Sequence, residues 1–257
     1  EAALGHYARR LGAAPVATPG AGNLVNLTWA VGSPSAHALQ LVASQFGDEE
    51  NRRIEAVSRR LAEVGIAAPR LLRTDSGALS VAGPEGRRWR LLNWIPGRIH
   101  QTVPSPAHAQ SAARLVARFH DAMRDSPVGE ALPENDFHDT EARMAGLCQA
   151  LERAVGREVE AELRSLGNDI LQAWRELAPA QALPPRPGHG DLKISNLVFE
   201  ADGPKAVGLI DFDTLARYPL DAELGDAFRS WCNPAGEDPP QPRLDLAIFE
   251  AVVAGYL

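Results

Sequence analysis

Cysteine is scarce: Cys148 and Cys232 are the only two, far apart and in no C-x-x-C spacing. A disulfide framework is thereby excluded, and two ordinary thiols in a reducing compartment are expected. Long hydrophobic runs are missing as well. None approaches the ~18 residues of a membrane helix, and residues 1–11 carry Arg9-Arg10 but no signal-peptide apolar core. Basic excess is absent, with 26 Lys and Arg against 33 Asp and Glu and a net charge of -7. General nucleic-acid binding rests on basic surface and is excluded on that ground. A nucleotide is not excluded, because a bound metal screens phosphate charge. There is no internal repeat and no low-complexity segment. These absences imply a cytoplasmic protein without nucleic-acid or membrane partners.

What is present is ordinary globular material, 45% hydrophobic and 23% charged over 257 residues. That suits one large domain or a two-lobed one. The first third reads as strands and turns. Residues 24–31 and 38–42 alternate like a hairpin around a turn-like Gly32-Ser33-Pro34. Ile54, Val57, Leu61 and Val64 fall at helical spacing over 48–64, and Gly65 is a stop signal. Residues 78–81 and 89–95 read as two further strands, with Arg87, Arg88 and Arg90 on solvated surface. Beyond Pro96-Gly97 the pattern turns helical. Ala112, Leu115, Val116 and Phe119 form one stripe, and 140–151, 159–177, 221–231 and 244–257 form others. A Pro-rich connector, 183–188, leads to strands over 194–199 and 206–210. The expected fold class is α+β in two lobes, residues 1–95 and 96–257, with a ligand cleft between them.

The chemistry concentrates in HGDLKISN, residues 189–196, and LIDFD, residues 209–213. Four carboxylate or amide side chains and one lysine on turns beside apolar strands need counter-ions or a use. The spacing D-x-x-x-x-N lets Asp191 face a substrate hydroxyl while Asn196 turns back toward a metal. Asp211 ends an apolar strand. Asn196 and Asp211 are hard oxygen donors of the kind Mg2+ takes, with water or phosphate in its other positions. Asp191 is then free to accept a proton, and Lys193 brings positive charge near a transferring phosphoryl group.

These loops resemble those of the aminoglycoside phosphotransferase-like small-molecule kinases, which share the protein-kinase-like fold. The resemblance implies ATP and Mg2+ as cofactors and a small-molecule hydroxyl acceptor as partner. It implies Asp191 as catalytic base, Asn196 and Asp211 as metal ligands with Asp213 assisting, and His189 as a loop brace. GAGNLVNLTWAV, residues 20–31, resembles the nucleotide loop, so Gly20 and Gly22 would let backbone approach phosphates. Gln40 stands where the family usually places a phosphate-binding lysine. Asn93 and Trp94 fall at the hinge that contacts adenine. The stretches at 135–144, 224–233 and 249–257 resemble the N-acetylhexosamine 1-kinase type, which implies a sugar acceptor and further helices beyond Tyr256-Leu257. An aminoglycoside or amino-alcohol acceptor is the alternative. The Gly-His pair usual in the N-acetylhexosamine 1-kinase loop is replaced here by Gly22-Asn23.

Arg229 and His138 are candidates for the acceptor side. Arg229 fits equally an ion pair with Asp226 or Glu223 on a helix surface. His138 precedes Asp139-Thr140, which fits equally a helix cap. His120 reads as structural. Two other classes use parts of the same pattern: a catalytically silent nucleotide-binding module, motivated by Gln40, and a metal-dependent hydrolase.

Overall fold

Among the described residues, six short strands form one antiparallel sheet in the first part of the chain. The computed structural model describes residues 2–11, 17–19, 26–32, 36–134, 139–154, 161–177, 183–236 and 241–257. Two single-turn helices, α1 (Ala2–Gly5) and α2 (Ala8–Leu11), precede strands β1 (Ala17–Pro19), β2 (Leu27–Val31) and β3 (His37–Val42). After helix α3 (Asp48–Glu63) come β4 (Leu71–Leu72), β5 (Val81–Ala82) and β6 (Arg88–Asn93). The order is β1-β2-β3-β6-β4, with β5 also on β6.

Period-two alternation decides what each sheet face holds. Leu39 pairs with Leu91 and Leu41 with Trp89, while Gln40 pairs with Arg90. Leu39, Leu91 and Val31 pack with Leu4 of α1 and with Tyr7 in the turn between α1 and α2. Gln40 and Arg90 therefore occupy the opposite face.

Helix α3 buries Ile54, Val57 and Leu61, each stabilising by about 1.5–3 kcal/mol. It stops at Gly65, whose φ of 70° lies in the left-handed region. Ile66 N–H reaches Leu61 C=O and Gly65 N–H reaches Ala62 C=O, the paired bonds that close a helix at a glycine.

The expected strand over 78–81 is largely a turn. Thr74 N–H donates to Ala78 C=O at 2.8 Å, and the Thr74 hydroxyl accepts from Ala78 N–H at 2.9 Å. Extended pairing begins only at Val81.

The second part is mainly helical. Its helices are α4 (Pro106–Arg124), α5 (Pro127–Glu130), α6 (Thr140–Arg153), α7 (Ala161–Glu176), α8 (Leu220–Trp231) and α9 (Leu246–Tyr256). Leu115, Val116, Phe119 and Met123 of α4 centre the main core, which joins α3 to the later strands. α9 runs so close along α4 that a Cβ at Gly255 would lie 2.2 Å from the Gln110 carbonyl oxygen.

Four strands make two ribbons: β7 (Pro185–Gly188) with β10 (Ala216–Pro219), and β8 (Leu197–Phe199) with β9 (Ala206–Leu209). The Pro-rich connector expected over 183–188 is thus partly a strand. Arg217, opposite Pro187, turns its N–H outward to Pro133 C=O at 2.7 Å. The prolines sit where the ribbon requires no donor. The strand expected from Ile194 instead opens with a 3-10 turn, Ile194–Asn196, in which Asn196 N–H bonds Lys193 C=O. Among the described residues no helix is long and apolar enough to cross a membrane. A small antiparallel sheet followed by a helical portion is the α+β arrangement that the sequence implies.

Candidate active site

Residues 189–196 leave the end of β7 as a loop pinned from several sides. Gly190 has φ 81°, and a Cβ there would lie 2.5 Å from the Tyr218 hydroxyl and 2.6 Å from Thr214 C=O. Only glycine fits that approach. Glu223 of α8 accepts from His189 N–H at 2.7 Å and from Gly190 N–H at 3.0 Å, one bond per carboxylate oxygen. Trp231 Nε1 donates to Leu192 C=O at 2.6 Å. His189 Nε2 donates to Ile210 C=O at 2.9 Å, which leaves Nδ1 to accept from Asp191 N–H at 3.3 Å.

That bracing aims Asp191. Its Oδ2 accepts from Lys193 Nζ at 2.7 Å and from Asn196 Nδ2 at 3.0 Å. Asn196 Nδ2 also donates to Asp191 C=O at 2.9 Å. Both Asn196 bonds use its nitrogen, so the side-chain oxygen is the atom left for a cation. The β8–β9 ribbon brings the second loop alongside, since Leu197 faces Leu209 and Ile210 N–H bonds Asn196 C=O at 2.9 Å. Asp211, the next residue, therefore follows directly from the strand end beside Asn196.

Asp211 has φ 65° and ψ 64°, a left-handed conformation in which a non-glycine residue is strained by about 1–3 kcal/mol. It heads the turn Phe212–Thr214. Phe212 sets its ring edge-on to His189 with centroids 5.3 Å apart. Thr214 Oγ1 donates to His189 C=O at 2.7 Å. Burial, and then the charge of Asp213, pushes the Asp211 carboxyl above the usual carboxylate range.

Asp213 is held from the sheet. Arg90 Nη1 and Nη2 donate to its two oxygens at 2.6 and 2.9 Å, and Asn26 Nδ2 adds a bond at 2.7 Å. The Arg90 and Asp213 side chains are 2% and 4% exposed.

A family model for the phosphotransferase enzyme family matches residues 16–255. The chain belongs to this family. Three solved structures show the fold that this phosphotransferase shares. The GDP complex of wild-type aminoglycoside 2'-phosphotransferase-IIIa matches with TM-score 0.64 and 16% identity, over 96% of this chain and 79% of that one. The microcompartment-associated aminopropanol kinase matches with TM-score 0.63 and 17% identity, over 98% and 78%. Amicoumacin kinase in complex with AMP-PNP and Ca2+ matches with TM-score 0.61 and 14% identity, over 93% and 71%. The fold is the protein-kinase-like one, and the chain is a phosphotransferase.

The donor chemistry of the phosphotransferase fits a hard divalent cation. An amide oxygen from Asn196 and a half-buried carboxylate from Asp211 stand at one ribbon end, and a cation relieves the desolvation and the Asp213 repulsion that oppose the Asp211 charge.

The remaining expected residues fall in different places. Gln40 Oε1 accepts from Arg90 Nε at 2.9 Å and its Nε2 donates to Thr28 Oγ1 at 3.3 Å, so its amide is already engaged at both ends. Asn93 Oδ1 accepts from Arg70 N–H. Trp94 is 38% exposed and with Asn93, Arg70 and Ser58 lines a cavity of about 170 Å³. None of Asp191, Asn196 or Asp211 lines that cavity. Arg229 pairs with Asp226 at 2.9 Å on exposed surface, the helix-surface alternative. Asp139 caps α6 by accepting from Ala142 N–H at 2.9 Å. Gly20, Gly22 and His138 lie outside the described residues.

The expectation for Arg90 is overturned, because it is buried rather than solvated. A strand alternation that set Arg90 opposite Trp89 and Leu91 was the available signal. Nothing in the sequence motifs marks Glu223 as a loop brace. An acidic residue on an apolar helical stripe with Ala227, Ser230 and Trp231 was the hint. His120 is buried, as a structural reading requires. Its Nδ1 lies 2.7 Å from the Tyr256 hydroxyl and its Nε2 3.5 Å from Glu223 Oε1.

Proposed function

We propose that the phosphotransferase moves the γ-phosphoryl group of ATP to a hydroxyl of a small sugar such as an N-acetylhexosamine. The nucleotide lies between a sheet lobe, residues 1–95, and a helical lobe, 96–257. Asp191 orients the acceptor hydroxyl and takes its proton. The acceptor oxygen forms a bond to the γ-phosphorus as the bond to the β–γ bridging oxygen breaks, and ADP leaves. Lys193 holds Asp191 Oδ2 in place and brings positive charge to the transferring group. Asn196 and Asp211 would hold Mg2+, which supplies charge neutralisation on the phosphates when bound. Asp213, whose oxygens are taken by Arg90 and Asn26, is left out of that ligand set.

The observation that carries this reading is the Asp191 carboxylate, gripped at 2.7 Å by Lys193 and at 3.0 Å by Asn196 beside Asp211. The sugar rests on the stretches at 135–144, 224–233 and 249–257. A second acceptor class, amino alcohols and aminoglycosides, is favoured by the fold shared with aminopropanol kinase and aminoglycoside 2'-phosphotransferase-IIIa.

The test is Mg2+-dependent ATP consumption over hexosamines, aminoglycosides, aminopropanol, choline and homoserine, beside Asp191→Ala. Turnover of hexosamines that vanishes in Asp191→Ala is the expected result. Turnover of amino alcohols alone would replace the sugar. Nucleotide binding without turnover of any acceptor would instead make the chain a silent module.

A further inference from the structure

We propose that Arg90 is a positioning residue that sets Asp211 in place by clamping the turn after it to the sheet. One buried guanidinium gathers four elements. Nε reaches Gln40 of β3 at 2.9 Å, Nη1 reaches Asn51 of α3 at 3.3 Å, and Nη1 and Nη2 grip Asp213 at 2.6 and 2.9 Å. Arg90 itself sits on β6. Asn26 completes the cage, donating to Asp213 Oδ2 at 2.7 Å while its Oδ1 accepts from Ala43 N–H at 3.1 Å.

The geometry makes this more than burial. Asp213 is two residues past Asp211, in the turn that Asp211 heads with a left-handed backbone. Strained backbone persists only where its surroundings over-determine it. Thr214 ties the turn to the loop of Asp191, and Arg90 ties it to the sheet. A two-pronged guanidinium–carboxylate pair fixes orientation as well as distance, which a point charge does not. The sheet, read as the nucleotide side, and the metal turn thus move as one body. The role of Arg90 toward the cation rests on the Mg2+ reading of Asn196 and Asp211.

The test replaces both charges together, Arg90→Gln with Asp213→Asn, so that no unpaired buried charge is left. Arg90→Lys, which keeps charge but loses the fork, is the second variant. Two quantities are read: the Mg2+ dependence of binding a fluorescent ATP analogue, and hydrogen exchange without metal. Loss of a positioning partner weakens metal affinity by roughly 10–100-fold. We expect that loss in the double variant with metal-free nucleotide affinity held, and partial recovery in Arg90→Lys. Exchange should quicken across 210–215 and stay slow at His189 and Gly190, which Glu223 holds. A folded double variant with wild-type exchange over 210–215, or with wild-type Mg2+ dependence, overturns the proposal. Should the wild-type protein bind nucleotide without any Mg2+ dependence, the metal reading fails, and the exchange measurement alone decides the clamp.

Discussion

The loop of Asp191 and the turn of Asp211 lie side by side but are held by opposite means. The first is gripped from the helical side, by Glu223 accepting two backbone N–H groups, with His120 and Tyr256 behind it. The second is bonded to the first through Thr214 and His189 and is gripped in addition from the sheet side, by the Arg90–Asp213 pair. Backbone bonds to a single rigid helix make the Asp191 loop part of the helical body. A side-chain ion pair reaching across the molecule makes the Asp211 turn sensitive to where the sheet stands. The proposed function uses both, with Asp191 as a base fixed to the acceptor side and Asp211 as a metal ligand registered to the nucleotide side.

The largest break in this comparison is Asp211→Asn, which separates activity from stability. Under the proposed function, turnover should fall by ~10² or more, because the variant removes the charged group assigned to the cation. The metal-free protein should nevertheless melt a few degrees higher, because burial and Asp213 repel that carboxylate. A turnover assay and a melting curve in chelator check both halves.

Next is Glu223→Ala, which leaves two buried N–H groups without an acceptor and should cost about 3–5 kcal/mol. Glu223→Gln keeps an acceptor and should lose less. Denaturant unfolding gives both values.

The same two carboxylates should respond to acid with opposite signs. Burial alone would push Glu223 up, but the hydrogen bond and charge of His120, followed by His189, hold it below its ordinary value of 4.5. A carboxylate lowered by folding stabilises above the unfolded value and loses that contribution as pH falls through the folded one. Asp211 is raised, so its ionised form opposes folding, and acidification through the folded value relieves the metal-free protein. Melting curves from neutral pH down past 4.5 should show Glu223→Gln with a flatter acid limb than wild type. In Asp211→Asn the acid limb should be steeper.

The smallest effect belongs to a residue outside either grip. Arg229→Ala removes an exposed pair worth about 0.3–0.5 kcal/mol and should leave the acceptor KM unchanged. A raised acceptor KM would move Arg229 into the acceptor site.

How legible each part was follows from the range of its interactions. The Asp191 loop, the Asn196 spacing and the Asp211 strand end are local, and their residue types carry their chemistry within one ribbon. The Gly65 stop and the β2–β3 hairpin are local as well. Arg90 looks solvated in the sequence because its partner Asp213 is 123 positions away. A charged residue near a strand start looks exposed until such a partner is known. Glu223 lies 34 positions from His189 and serves its backbone, which has no sequence signature. The strand over 185–188 escaped notice because proline argues against pairing, and only the outward-facing register with 216–219 makes it harmless.

The central claim is that Asp191 acts on the hydroxyl while the neighbouring turn serves the nucleotide. Single-turnover transfer from Mg·ATP to the acceptor found by screening, compared between wild type and Asp191→Asn, tests it most directly. The expected result is a transfer rate lowered by about 10²–10⁴-fold with Mg·ATP affinity unchanged. Transfer at the wild-type rate in Asp191→Asn would contradict it.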